Sequence, residues 1–139
     1  MVQNISLKEQ SFLVYGLGLS GQSVIKFFKK NKFKKFEVWD DKRKKKFKNY
    51  RAKSLKKTLN KVNYIVLSPG ISLLKNKILT KFKKKIITDL DLFFLFNRKF
   101  RSIVVTGTNG KSTTCEVLAH ILKKNKLKYC LGGNIGTPI

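Results

Sequence analysis

The chain has 139 residues, 42% of them hydrophobic, and its 32 Lys+Arg against 7 Asp+Glu give a formal charge of +25. That length suits one ordinary domain, or one domain and a piece of another, with enough apolar residues for a buried core. No apolar run reaches the roughly 18 residues of a membrane span, the amino terminus carries no basic-then-apolar secretory pattern, and Cys115 and Cys130 form no metal-ligand spacing.

Along the chain, strand, glycine turn and helix alternate. Residues 12–15 (F-L-V-Y) are a short apolar run ending at Gly16, and residues 20–30 place Val24, Ile25, Phe27 and Phe28 on one side, as a helix on a sheet does. Residues 36–40 (F-E-V-W-D) read as a second strand. The Lys-rich stretch 42–61 has no clear pattern beyond a short helical run near K-S-L-K-K-T-L-N-K-V. Tyr64–Leu67 (Y-I-V-L) is a strand stopped by Ser68-Pro69-Gly70. Residues 78–85 are expected to be a helix with an outer Lys face, 86–88 a short strand, and 89–96 a helix whose acidic first turn suits the helix dipole. Residues 102–106 read as a further strand and 111–124 as the helix after it.

Strands alternating with helices, and strands apolar throughout, predict a mostly parallel α/β sheet. The expected organisation is a Rossmann-like unit over residues 1–98 and the start of a second α/β unit over 99–139, with the polar stretch 97–101 as linker.

The charge draws attention to nucleic acid. However, only four basic residues are Arg (Arg43, Arg51, Arg98 and Arg101), and the Lys, Phe, Ile and Asn that dominate the chain are residues with A/T-rich codons. Nucleic-acid readers lean on Arg for bidentate contacts, so no specific nucleic-acid partner is expected. The run 42–48 is read as a solvated loop.

Three glycine-bearing stretches follow strands. Gly16-Leu17-Gly18-Leu19-Ser20-Gly21 is a G-x-G-x-x-G opening a helix, and Asp40 ends the next strand 19 residues after Gly21. Such a loop brings backbone close to a pyrophosphate at a helix N-terminus, so a diphosphate-linked nucleotide fits it, and a nicotinamide dinucleotide is the alternative. Ser68-Pro69-Gly70-Ile71 belongs to the same C-terminal strand edge. The third, Gly107-Thr108-Asn109-Gly110-Lys111-Ser112-Thr113, has its first glycine only three residues before Gly110, closer than in the common G-x-x-x-x-G-K-[ST] loop. Lys111 is suited to terminal phosphates, and the hydroxyls of Ser112 and Thr113 to Mg²⁺.

T-G-T-N-G-K-S-T resembles the shortened P-loop of the Mur ligase family, which also includes folylpolyglutamate synthases. Together with G-L-G-L-S-G, S-P-G-I and G-G-N-I-G-T-P, in that order, the chain is similar to the branch that joins D-glutamate to UDP-N-acetylmuramoyl-L-alanine. The resemblance implies an ATP- and Mg²⁺-dependent ligase that forms an amide bond through an acyl phosphate in peptidoglycan precursor synthesis. A cytoplasmic location is expected from the lack of a membrane-span run and a secretory pattern, and a monomer is expected.

By residue, the resemblance implies that Leu19 and Ser20 bind the uridine-diphosphate sugar, that Asp40 bonds the uracil with Asp41 beside it, and that Gly70 lies against the nucleotide. Asn134 would reach the substrate, and Gly107, Thr108, Asn109, Gly110, Lys111, Ser112 and Thr113 would hold ATP, with Lys111 catalytic. His120 and Glu116 are read as structural and solvated. Against the family's length, residues 99–139 correspond to the first strand, P-loop and helix of a P-loop ATPase-type central domain. The 139 residues alone are therefore expected to bind ATP weakly and not to form the amide bond.

Overall fold

The computed structural model describes residues 7–43, 47–97 and 101–132. The chain divides into two compact units, Met1–Arg98 and Lys99–Ile139.

The first unit is built on four parallel strands: β1 (Phe12–Tyr15), β2 (Phe36–Trp39), β3 (Tyr64–Leu67) and β4 (Ile86–Ile87), in the order β2-β1-β3-β4. β1 lies between β2 and β3 in matched register, with Tyr15 opposite both Trp39 and Leu67. Every residue of β1 is buried. A strand covered on both faces must be apolar throughout, and F-L-V-Y meets that demand up to its last atom, the Tyr15 hydroxyl.

Alternation along the strands divides the core into two halves. Phe12, Val14, Val38 and Val66 face one side, where they pack with α1 (Leu19–Lys30) through Val24, Ile25 and Phe28, and with α4 (Asp89–Phe96) through Leu92. Leu13, Tyr15, Ile65 and Leu67 face the other, against Leu59 of α2 (Leu55–Lys61) and Leu79 of α3 (Lys77–Thr80). In α1 the buried positions are Gly21, Val24, Ile25 and Phe28, one stripe at helical spacing. Phe28 is the hub of an aromatic cluster, with ring centroids 4.9 Å from Phe12 and 4.7 Å from Phe33.

The stretch without a sequence pattern, 42–61, proves to extend the sheet. After a 3-10 turn at Lys48–Tyr50, Arg51 forms a parallel bridge with Val38, and the Ala52 N–H donates to the Val38 carbonyl at 3.1 Å. Tyr50 stacks on Phe36 with centroids 4.7 Å apart, and the Lys29 ammonium sits over the Tyr50 ring. Residues 44–46 of the basic run lie outside the described residues.

Two predicted elements differ. The helix expected over 78–85 is a single turn, α3, followed by a 3-10 turn at Lys83–Lys85. The break frees Lys85 to turn inward: its ammonium donates to the carbonyls of Leu59, Asn60 and Val62 at 3.2, 2.9 and 2.8 Å, closing the C-terminal end of α2. In the second unit, residues 101–107 form no strand. A strand exists by pairing, and the apolar I-V-V run has no ladder partner among the described residues, so Ile103 and Val104 stand exposed. α5 (Lys111–Lys124) forms as expected, but none of its residues is buried. Residues 98–100 of the predicted linker lie outside the described residues.

α4 begins at a full capping box. The Asp91 N–H donates to Thr88 Oγ1 at 3.1 Å, and the Thr88 N–H donates to Asp91 Oδ2 at 2.8 Å. The acid of the first turn therefore acts through hydrogen bonds as well as the dipole. Among the described residues, no helix is long and apolar enough to cross a membrane.

Lys85 closes α2 with charge-assisted bonds to carbonyls that have no helical partner. Lys85→Met is expected to lower stability by about 1–2 kcal/mol, read as the shift in the urea midpoint at neutral pH.

Candidate functional site: the carboxyl edge of the sheet

The loops that follow β1, β2 and β3 gather at one end of the sheet, where open parallel sheets hold their ligands. The glycine loop is shaped by a contact between its outer glycines. Gly16 adopts φ +99°, and a Cβ on it would meet the Ser68 side chain at 2.7 Å. A Cβ on Gly21 would lie 1.9 Å from the Gly16 carbonyl oxygen. Gly21 lets α1 approach the end of β1, and Gly16 lets the loop after β3 pack against it. Gly18 is different: a Cβ there meets nothing within 4 Å. The fold does not need the middle glycine, whereas a phosphate close to the backbone does.

Gly18 is the N-cap of α1, and no side chain caps the helix. The first N–H groups of a helix lack intrahelical partners, so they present donors and a positive dipole end at this loop. Leu19 is 80% exposed beside them, and Ser20 is half-buried. Gln22 reaches back to the Leu17 carbonyl at 3.1 Å.

Asp40 is buried at the end of β2, where its carboxylate holds two loops together. Oδ2 accepts the Leu17 N–H at 2.7 Å, and Oδ1 accepts the N–H groups of Lys42 and Arg43 at 2.8 and 2.7 Å. The Arg43 guanidinium returns to the Leu17 carbonyl. Burial pushes the Asp40 carboxyl up, but the N–H donors of Leu17, Arg43 and Lys42 and the Arg43 charge outweigh it and hold the group below its ordinary 3.8.

Asp41, next in the chain, faces other partners. It accepts the Tyr15 hydroxyl at 2.8 Å and the Trp39 indole N–H at 2.9 Å. Burial, then the bond to Asp41 and the charges of Asp41 and Asp40, push the Tyr15 hydroxyl up to about 12, against a smaller opposing effect of its bond from Asn76. Tyr15 is thus a donor at any physiological pH.

The loop after β3 is tied to the same centre. Ser68 Oγ donates to the Gly16 carbonyl at 2.8 Å, while the Asn76 amide donates to the Tyr15 hydroxyl at 3.1 Å and its Oδ1 accepts the Leu79 N–H at 3.2 Å, capping α3. Gly70 is exposed in this loop, and a Cβ on it would meet nothing within 4 Å.

Leu19 and Ser20 open α1 at the carboxyl end of the sheet, where the loops that carry Asp40 and Gly70 also lie. Asn134 lies outside the described residues. The sequence reading named Ser68 only within the stretch 68–71 and gave it no role of its own, and it did not single out Tyr15, Arg43 or Asn76 as site residues. One signal was available for Tyr15: a hydroxyl ending an otherwise apolar central strand must find a partner.

The second glycine loop belongs to the other unit. Gly107 and Gly110 have φ +148° and +77°, and Gly110 is the N-cap of α5 with no side-chain cap. The Lys111 ammonium folds over the loop onto the carbonyls of Gly107 and Thr108. Thr108, Asn109, Ser112 and Thr113 are exposed around it, while Thr114 Oγ1 bonds the Gly110 carbonyl at 2.9 Å. Glu116 and His120 are exposed on α5. Among the described residues, no group of three or more His, Cys, Asp or Glu could hold a metal ion.

A family model described as the Mur ligase MurD-like N-terminal domain matches residues 10–88. The chain is 39% identical to the UDP-N-acetylmuramoylalanine--D-glutamate ligase of Rickettsia prowazekii (strain Madrid E), over 94% of this chain and 31% of that protein. It is 38% identical to the protein of the same name from Wolbachia sp. subsp. Brugia malayi (strain TRS), over 95% of this chain and 29% of the relative. With the one from Francisella philomiragia subsp. philomiragia, identity is 46% over 58% of this chain and 20% of the relative. The chain thus spans about three tenths of the length of the first two.

Two outcomes follow from this geometry. Gly21→Ala forces its methyl onto backbone that cannot yield and is expected to cost about 3 kcal/mol or more, whereas Gly18→Ala is expected to stay within about 1 kcal/mol; urea melts of both variants check this. Asp40 is held below its unfolded pKa, so its contribution is present above 3.8 and is lost as pH falls through the folded value. The urea midpoint of Asp40→Asn should accordingly be lower at neutral pH, and should fall less steeply than the wild type on acidification below 3.8.

Proposed function

The chain belongs to the Mur ligase family, with a MurD-like N-terminal domain, and from that premise we propose that residues 1–98 bind the nucleotide end of UDP-N-acetylmuramoyl-L-alanine for ligation to D-glutamate. The observation that carries this reading is the uncapped α1 N-terminus behind a glycine loop whose middle glycine the fold does not require. A diphosphate suits that position: backbone N–H groups and the helix dipole both favour negative charge. Leu19 and Ser20 lie at the start of α1 for the diphosphate and the sugar, and Gly70 leaves room for the nucleotide. A carboxylate offers about four acceptor positions; Asp40 uses three on backbone N–H groups, and the one left on Oδ2 is the position for the uracil.

The same acceptor would also serve the nicotinamide alternative, because a dinucleotide site of that kind sets its strand-end acid on a ribose hydroxyl, and Asp40 has one acceptor position left. Titration with both ligands therefore decides between the two readings. A basic nucleic-acid-binding role has no comparable support, because the lysines outnumber the arginines and form no reader motif.

Residues 99–139 are, in this proposal, the start of a P-loop ATPase-type central domain. Gly107, Thr108, Asn109 and Gly110 would cradle ATP phosphates, and Asn134 would meet the substrate. Lys111 would exchange its two loop carbonyls for phosphate oxygens, offsetting charge as the phosphoryl group moves to the substrate carboxylate. The amine of D-glutamate then attacks the acyl phosphate and displaces phosphate. The exposed hydroxyls of Ser112 and Thr113 fit Mg²⁺ only as partial ligands, the rest being nucleotide phosphates and water, as is usual for this ion. When bound, it neutralises phosphate charge. A cytoplasmic monomer is part of the same proposal, and so is the inability of these 139 residues alone to form the amide.

Calorimetric titration of the 139-residue chain is expected to show saturable binding of UDP and none of NAD. Binding of NAD without UDP would overturn the reading. With ATP, D-glutamate and UDP-N-acetylmuramoyl-L-alanine, no D-glutamate-dependent ADP release is expected from residues 1–139; its appearance would show that they suffice.

A further inference from the structure

The loops after β1, β2 and β3 are joined pairwise by side chains. Asp40 joins the β2 loop to the glycine loop through the Leu17 N–H. Ser68 joins the β3 loop to the glycine loop through the Gly16 carbonyl. The third link, between the β2 and β3 loops, passes through the Tyr15 hydroxyl, which donates to Asp41 and accepts from Asn76.

This third link differs in kind from the other two. The first two act on the glycine loop's own backbone. Tyr15 acts from the strand between the two loops it joins: it is the last residue of β1, paired with Trp39 on one side and Leu67 on the other. Its ring is locked in the core, 1% exposed, among Leu13, Leu59 and Leu79. Its hydroxyl is therefore a fixed point. Both partners are fixed in turn, Asp41 by the Trp39 indole and Asn76 by the Leu79 N–H of α3. A chain of bonds so arranged joins the β2 loop to the β3 loop directly, beside their separate ties to the glycine loop.

We propose that Tyr15 is a positioning residue that sets the separation of the β2 loop and the β3 loop, and so the fit of a uridine nucleotide held by both. The inference rests on the nucleotide-binding reading above. It assigns Tyr15 no contact with the ligand. Tyr15 acts through Asp41, which adjoins Asp40 at the base end, and through Asn76, which anchors the loop carrying Gly70.

The test compares wild-type chain, Tyr15→Phe and Asn76→Ser by UDP titration and by amide hydrogen exchange. Tyr15→Phe keeps the ring and removes the link. Asn76→Ser keeps a good N-cap for α3 and removes the arm that reaches Tyr15, so it carries the test even if the first variant folds poorly. UDP binding is expected to weaken about threefold to tenfold in each, the worth of one hydrogen bond. Exchange should quicken at 41–43 and 71–79 while 17–21 keep their protection, since Asp40 and Ser68 still hold the glycine loop. Unchanged UDP affinity in both variants overturns the proposal, and so does faster exchange spread evenly over the strands, which is general loss of stability. Failure of the wild type to bind UDP overturns the nucleotide reading itself, and the positioning role with it.

Discussion

The approach of α1 to β1 at Gly16 and Gly21 is the constraint from which the rest of the site follows. With the Gly16 carbonyl seated against the Cα of Gly21, the helix starts directly over the strand end. Its uncapped N–H groups then face the sheet edge where the other loops arrive. Any larger residue would lift the helix and remove the donors from that edge. A second close approach, by the loop after β3, leaves no space for a side chain at Gly16, where Ser68 packs and donates its hydroxyl.

Acidic side chains do much of the remaining fastening. In a chain with 32 basic residues and 7 acidic ones, surface ion pairs offer little stability in any case. The acids act instead as hydrogen-bond acceptors at element ends. Asp40 gathers backbone N–H groups, Asp41 takes a phenol and an indole, Asp91 completes the box that starts α4, and Glu37 accepts the Thr58 hydroxyl at 3.1 Å. A carboxylate accepting several N–H bonds is worth more than the same charge facing a solvated lysine.

Among the described residues the two units differ in burial. In residues 7–97 the apolar strands are sandwiched between helices, and buried side chains fill both faces. In the other unit α5 forms from its own helical propensity and from Gly110 at its start, yet Val117 and Ile121 remain about half exposed. Local structure needs only local sequence, whereas burial and strand pairing need partners from elsewhere in a chain.

Much of the fold and part of the site are legible in the sequence alone. The buried strands F-L-V-Y and Y-I-V-L, the stripe of α1 and the helix after Gly110 follow from periodicity and glycine placement, because those signals are local. The parallel α/β class follows from their order. Tertiary structure decided what depended on residues distant in the chain. It turned the patternless stretch at Arg51 into an extension of the sheet, because Val38 offered an open edge. It left I-V-V at 103–105 without a ladder among the described residues. It also made Asp40 a holder of loops, with Lys42 and Arg43 nearby in sequence but Leu17 a full βα unit away. Tyr15, Asp41 and Asn76 show the limit best: spacing gives no hint that they meet, and it takes the parallel register of β1 and β2 and the placement of α3 to bring them together.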